Sequence, residues 1–134
     1  MKYLSGLHAL KLRCSLNTHG YWKDISVKWK PLPLSESDGS IWGEYGIEEN
    51  QFCHGEYLKT ANHIRAALDL LNNCEFDQLN GIGINLFEEK AYIIEFFEKA
   101  LLLKDHPGWK EISGFLSDEF QEKWCVFLKN KNMQ

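Results

Sequence analysis

The chain has 134 residues, 44% of them apolar and 25% charged, with a formal net charge of −4. That length suits one domain burying roughly two thirds of its unfolded surface, and the composition argues against a disordered or membrane-spanning chain. Charge is unevenly spread, with residues 1–34 carrying net +5 and residues 35–134 net −9.

Lys11 and Arg13 interrupt the N-terminal apolar stretch, so a signal peptide is not expected. The four cysteines, Cys14, Cys53, Cys74 and Cys125, lie far apart, which points to reduced thiols and a cytoplasmic location. Leu10, Leu12, Cys14 and Leu16 share one parity, and Ile25, Val27 and Trp29 repeat the pattern after the turn-like Asn17–Gly20. Such alternation predicts a β-hairpin. PLPLSESDGS, residues 31–40, reads as a surface loop, followed by a strand over 41–47 and a shorter one near 52–58.

After residue 60 the apolar period changes to that of a helix. Thr60 is placed to cap a helix reaching Asn73, with Ile64, Ala67, Leu68 and Leu71 inward and Arg65–Asp69 as an i, i+4 pair. Asn72, Asn73 and the glycines of LNGIGIN, residues 79–85, punctuate the chain. A second helix is expected over 88–104, its stripe formed by Ile93, Phe96, Phe97, Ala100 and Leu101. Pro107 suits the first turn of a third helix, with Trp109, Ile112 and Leu116 inward. Ser117 suits the cap of a last one carrying Phe120, Trp124 and Phe127. Strands first and helices afterwards predict a single α+β domain, a small antiparallel sheet from the N-terminal half packed against three to four C-terminal helices.

Catalytic motifs are sparse. Cys53-His54-Gly55-Glu56 contains His-x-Glu, the first half of the zinc nucleobase-deaminase signature, but the Pro-Cys-x-x-Cys which that chemistry requires is missing downstream. His54 and His63 lack the spacing of a helical zinc motif, although folding could still gather Cys53, His54 and His63. His63 suits a bond to a loop carbonyl or a capping role. Neither a phosphate loop nor a nucleophile elbow is present, and no metal or cofactor is expected.

Two charged regions bear on binding. The basic residues Lys2, Lys11, Arg13, Lys23, Lys28 and Lys30, with Tyr21, Trp22 and Trp29, have the composition of a single-strand nucleic-acid surface. Trp29 alternates with Val27 and Ile25, however, and is expected in the core, while the acidic remainder opposes phosphate. From Glu36 to Glu56 there are six acidic residues and no Lys or Arg. As a strand, 41–47 puts Trp42 and Glu44 on one face and Tyr45 and Ile47 on the other. A solvated strand face accounts for these carboxylates, and so does a surface for a cationic partner.

Three strings, GLHALKLRCSLNTHGYW (6–22), GSIWGEYGIE (39–48) and TANHIRAALDLLNN (60–73), resemble a group of small bacterial proteins of mobile and defence islands, some beside nucleotidyltransferase-like toxins. The resemblance implies an antitoxin-like or accessory role and transfers no catalytic residues. The resulting expectation is a non-enzymatic antitoxin or immunity-type protein meeting a basic protein partner. Its expected contact residues are Trp42, Glu44, Tyr45, Glu48, Glu49 and Glu56. The alternatives are a nucleic-acid-binding accessory protein using the N-terminal hairpin, and a small hydrolase or transferase with an assembled His/Glu site.

Overall fold

The computed structural model describes residues 1–20, 22–52 and 56–131, the side chains of 51, 52 and 56 excepted. The elements in order are β1 (Lys2–Leu4), α1 (Gly6–Leu10), β2 (Leu34–Glu36), β3 (Ile47–Phe52), β4 (Glu56–Ala61), α2 (His63–Asn72), α3 (Phe76–Leu79), α4 (Ile82–Asn85), α5 (Lys90–Ala100), α6 (Trp109–Phe120) and α7 (Glu122–Asn130). A 3-10 turn, Leu101–Asp105, prolongs α5. The α+β class holds, with two corrections. Among the described residues six helices, α2 to α7, follow the strands where three to four were expected, because the stretch from 76 to 85 coils into the short α3 and α4 and the last helical stretch divides at Gln121. The sheet, in turn, is not purely antiparallel. Its order is β2-β1-β4-β3, and although β1–β2 and β3–β4 are antiparallel, β1 meets β4 in parallel, so the sheet is mixed.

The largest departure lies in the first third of the chain. Residues 10–16 and 25–29 do not pair as a hairpin: Leu10 ends α1, and the described residues from 11 to 33 form neither helix nor strand. Leu10 is buried and Leu16 packs against the core, but Ile25 and Trp29 are exposed. The His8 ring meets Trp29 edge-on at 5.1 Å, and His8 Nε2 lies 2.7 Å from the Lys28 carbonyl. In the first stretch Leu10 and Leu16 reach the core from helix end and coil without a ladder partner, whereas the alternation at 25–29 marks no buried face.

α2 is buried on nearly every side, including His63, Ile64, Arg65, Ala67, Leu68 and Leu71, which makes it the central helix. Its cap is Asn62, whose side chain accepts from the Arg65 N–H at 2.9 Å; Thr60, the expected cap, belongs to β4. α5 presents Ile93, Phe96, Phe97 and Ala100 inward, as its period predicts. Pro107 precedes α6 rather than opening it, and Ile112 and Leu116 are buried. α6 continues through Ser117 to Phe120. The break falls at Gln121 (φ 54°, ψ −126°), after which α7 begins. The two helices close an aromatic cluster in which Phe97 lies 4.9 Å from Phe120 and 5.0 Å from Trp124. Among the described residues no helix is long and apolar enough to cross a membrane.

Candidate functional site

Residues 39–46 do not extend. Successive turn bonds, Ser40 N–H to Ser37 O, Gly43 N–H to Ser40 O and Tyr45 N–H to Trp42 O, coil them, with Gly39, Gly43 and Gly46 all at positive φ. A coil of three-residue steps puts Trp42 and Tyr45 on the same side. Trp42 is buried, at 6% exposure, and its indole N–H donates to the Lys99 carbonyl at 3.0 Å. The half-buried Tyr45 donates its hydroxyl to Glu95, and the Lys99 ammonium sits 4.4 Å from the ring centroid. Burial and then that carboxylate keep the Tyr45 hydroxyl protonated far above its ordinary range. Trp42 is therefore a core residue and is corrected as a surface anchor.

Arg65, fully buried, organises this coil from beneath. Its Nε donates to Asp69 at 3.0 Å, and Nη1 donates to the Gly43 and Tyr45 carbonyls, both at 2.7 Å. Nη2 donates to the Tyr3 hydroxyl at 3.0 Å and to Ser40 Oγ at 3.2 Å. All donors of the guanidinium fork are thereby used. Asp69 also accepts from the Tyr3 and Ser5 hydroxyls, each at 2.6 Å, so its negative charge is held by three donors. Gly46 is required because a Cβ there would lie 2.6 Å from Arg65 Cβ. A buried charge with every hydrogen bond made locks a loop to a helix. It leaves no free group for chemistry.

The carboxylates have separate fates. Glu44 is exposed. Glu48 accepts from the Ser15 N–H at 2.8 Å and its hydroxyl at 2.6 Å, which ties the N-terminal coil to β3. Glu49 is exposed and faces Lys59 at 3.2 Å across the β3–β4 ladder. Glu56 begins β4, but its side chain, like Cys53 and His54, lies outside the described residues. His63 bonds the Leu12 carbonyl through Nε2 at 2.6 Å, the loop-carbonyl role expected of it. Among the described residues no group of three or more His, Cys, Asp or Glu could hold a metal ion.

One residue was overlooked in the sequence. Tyr57, on β4 opposite Gln51, is 69% exposed and shares the face of Glu49 and Lys59. Its signal was present in the alternation of Tyr57 and Lys59 with Leu58 and Thr60, but only in the observed register. β1 meets β4 at Leu4–Thr60, whereas the pairs Asn50–Leu58, Gln51–Tyr57 and Phe52–Glu56 join β3 and β4 alone. The far part of this hairpin thus leaves the sheet as a two-stranded ribbon carrying Tyr57.

Trp22 donates its indole N–H to the Asn80 carbonyl at 2.7 Å. With the N-terminal hairpin absent, the basic residues do not share a sheet face. Comparison with family models finds no match, and comparisons with curated proteins and with solved structures find none either.

Proposed function

We infer that the chain is a non-enzymatic protein-binding module whose contact surface is the outer face of the β3–β4 hairpin. Tyr57 is the anchor in place of the buried Trp42, Glu49 supplies charge on the hairpin itself, and Glu44 supplies it from the exposed coil that leads into β3. The observation that carries this reading is Tyr57, a large ring 69% exposed on a ribbon that extends beyond β1. Exposed aromatic side chains beside carboxylates suit recognition of a basic protein surface, with the ring supplying affinity and the charges the encounter rate. The most concrete role is toxin neutralisation, as an antitoxin or immunity-type protein, in keeping with the resemblance of residues 6–22, 39–48 and 60–73.

The partner is obtained by co-purification from the native cell, and its affinity is then measured on variants. Tyr57→Ala is expected to lose about 2 kcal/mol of binding free energy with an unchanged melting midpoint. Replacing Glu44 and Glu49 together by Gln should slow association at low salt, the difference shrinking as salt is added. Full-affinity binding by the Tyr57→Ala variant would remove the hairpin from the interface.

A further inference from the structure

The coil that follows α1 folds back beside the first residue of α2, His63, and forms with it a half-open cavity of about 450 Å³. Its lining includes the apolar Leu12 and Leu16, the basic Arg13 and His19, and a nucleophile, Cys14. Cys14 is half-buried, so its sulfur is neither sealed in the core nor fully bathed.

His63 meets this cavity with a defined protonation pattern. Its Nε2 is 2.6 Å from the Leu12 carbonyl, and since a carbonyl oxygen only accepts, Nε2 carries a proton. Nδ1 therefore faces Thr18 Oγ1, at 2.7 Å, as the nitrogen free to gain or lose one. The same hydroxyl lies 3.7 Å from Cys14 Sγ. A hydroxyl both donates and accepts, so the chain runs from the Cys14 S–H to Thr18 Oγ1 and from the Thr18 O–H to Nδ1. Moving each proton one step along yields a thiolate and an imidazolium, bonded in the reverse sense through the same threonine. The Leu12 carbonyl orients the ring and favours its charged form, as the third group of a nucleophile–base–orienter set does.

The surrounding charges act in the same direction. Burial pushes the Cys14 thiol up, but the bonds and charge from His63 outweigh it and bring the thiol below its ordinary value. Burial likewise pulls His63 down, and Cys14, the Leu12 carbonyl and the Glu48 carboxylate together raise it above its own.

We propose that Cys14 is a nucleophilic thiol activated through Thr18 by His63, and that its cavity takes the disulfide of an anionic low-molecular-weight thiol. The class follows from the lining, since the cationic Arg13 favours a negative ligand beside the sulfur and the leucines accommodate its apolar stem. In the reaction the Cys14 thiolate attacks one sulfur of R–S–S–R, forming the Cys14–S–S–R bond as the old S–S bond breaks. The departing RS⁻ takes the proton held on His63 and leaves as RSH, while Cys14 is oxidised to the disulfide level and half of the reagent is reduced. Thr18 and His63 are positioning and proton-holding residues, and Cys14 alone bonds to the reagent. This site is independent of the Tyr57 surface.

The experiment treats the full chain with oxidised glutathione at neutral pH and maps the adduct by peptide mass spectrometry over time. Cys14 should be modified about tenfold faster than Cys53, Cys74 or Cys125, as expected for a thiol whose thiolate fraction is raised, and unfolding in urea should erase the difference. Thr18→Val should remove most of the advantage and Thr18→Ser restore it, with circular dichroism verifying the fold of each. Cystamine, a cationic disulfide, should react more slowly at Cys14 than oxidised glutathione does. Modification spread evenly over the four cysteines of the folded wild type would overturn the proposal without recourse to any variant. Undiminished reaction of a folded Thr18→Val protein, or a preference for cystamine, would do the same.

Discussion

At the scale of single residues, Arg65 decides the most. Removing its guanidinium strands the Gly43 and Tyr45 carbonyls and leaves Asp69 without its cation, so Arg65→Ala should cost about 3–5 kcal/mol of stability in denaturant titration. Arg65→Lys should rescue little of this, because one ammonium with three donors cannot reach acceptors arranged around a planar fork. Tyr3 gives the same network a pH signature. Burial first, and then the Asp69 carboxylate, push its hydroxyl up from 10.0 to about 12. A group raised on folding stabilises fully below its unfolded value and loses that contribution as pH rises through the folded one. Stability from Tyr3 is accordingly present below pH 10 and lost toward pH 12. Denaturant midpoints measured across that window should fall in the wild type and fall less in Tyr3→Phe, with Tyr45 responsible for part of the remaining decline.

Between elements, closeness of backbones matters more than side-chain volume at one junction. Gly83 in α4 lies against α6 such that an added Cβ would come 2.2 Å from the Glu119 carbonyl oxygen. The Glu119 carboxylate reaches back to accept from the Gly81 N–H at 2.9 Å and the Gly83 N–H at 3.1 Å. The glycines of LNGIGIN, which in sequence look like mere punctuation, are thus a docking seam. Gly83→Ala must push α4 off α6 and should cost about 1–3 kcal/mol, the usual range for overpacking, read as a lowered melting midpoint. A cost near zero would mean that the two helices are not held in this contact.

Over the whole molecule, folding redistributes the acidic run. Glu36 bonds the Met1 ammonium, which holds its carboxyl down to about 2, and Lys2 stands 3.6 Å away. Glu48 is engaged by Ser15 and Glu49 by Lys59. Glu44 remains exposed without a charged partner among the described residues. The field offered to a cationic partner is therefore weaker than a count of carboxylates suggests, and recognition on the β3–β4 ribbon leans on Tyr57 for affinity. Exposed pairs such as Glu49–Lys59 add little stability, which leaves that face free to change without unfolding the domain.

The α+β class and the places of α2 and α5 were legible in the sequence, as was a helix near α6, although α6 begins after Pro107 and runs through the expected cap at Ser117. Their apolar stripes recur at a 3.6-residue period, and a helix closes its hydrogen bonds within its own span. The sequence also singled out the Arg65–Asp69 spacing and the loop-carbonyl role of His63. The rest depends on contacts between parts of the chain that are distant in sequence. Strand identity depends on partners distant in the chain, so the alternation at 10–16 and 25–29 led to a hairpin that does not exist, while β1 went unrecognised until paired with β2 and β4. Trp42 is buried in the core formed with distant elements, where the Lys99 carbonyl, 57 residues away, accepts a hydrogen bond from its indole N–H. Cys14, Thr18 and His63 meet for the same reason: a coil without ladder or helix of its own is placed by what it packs upon.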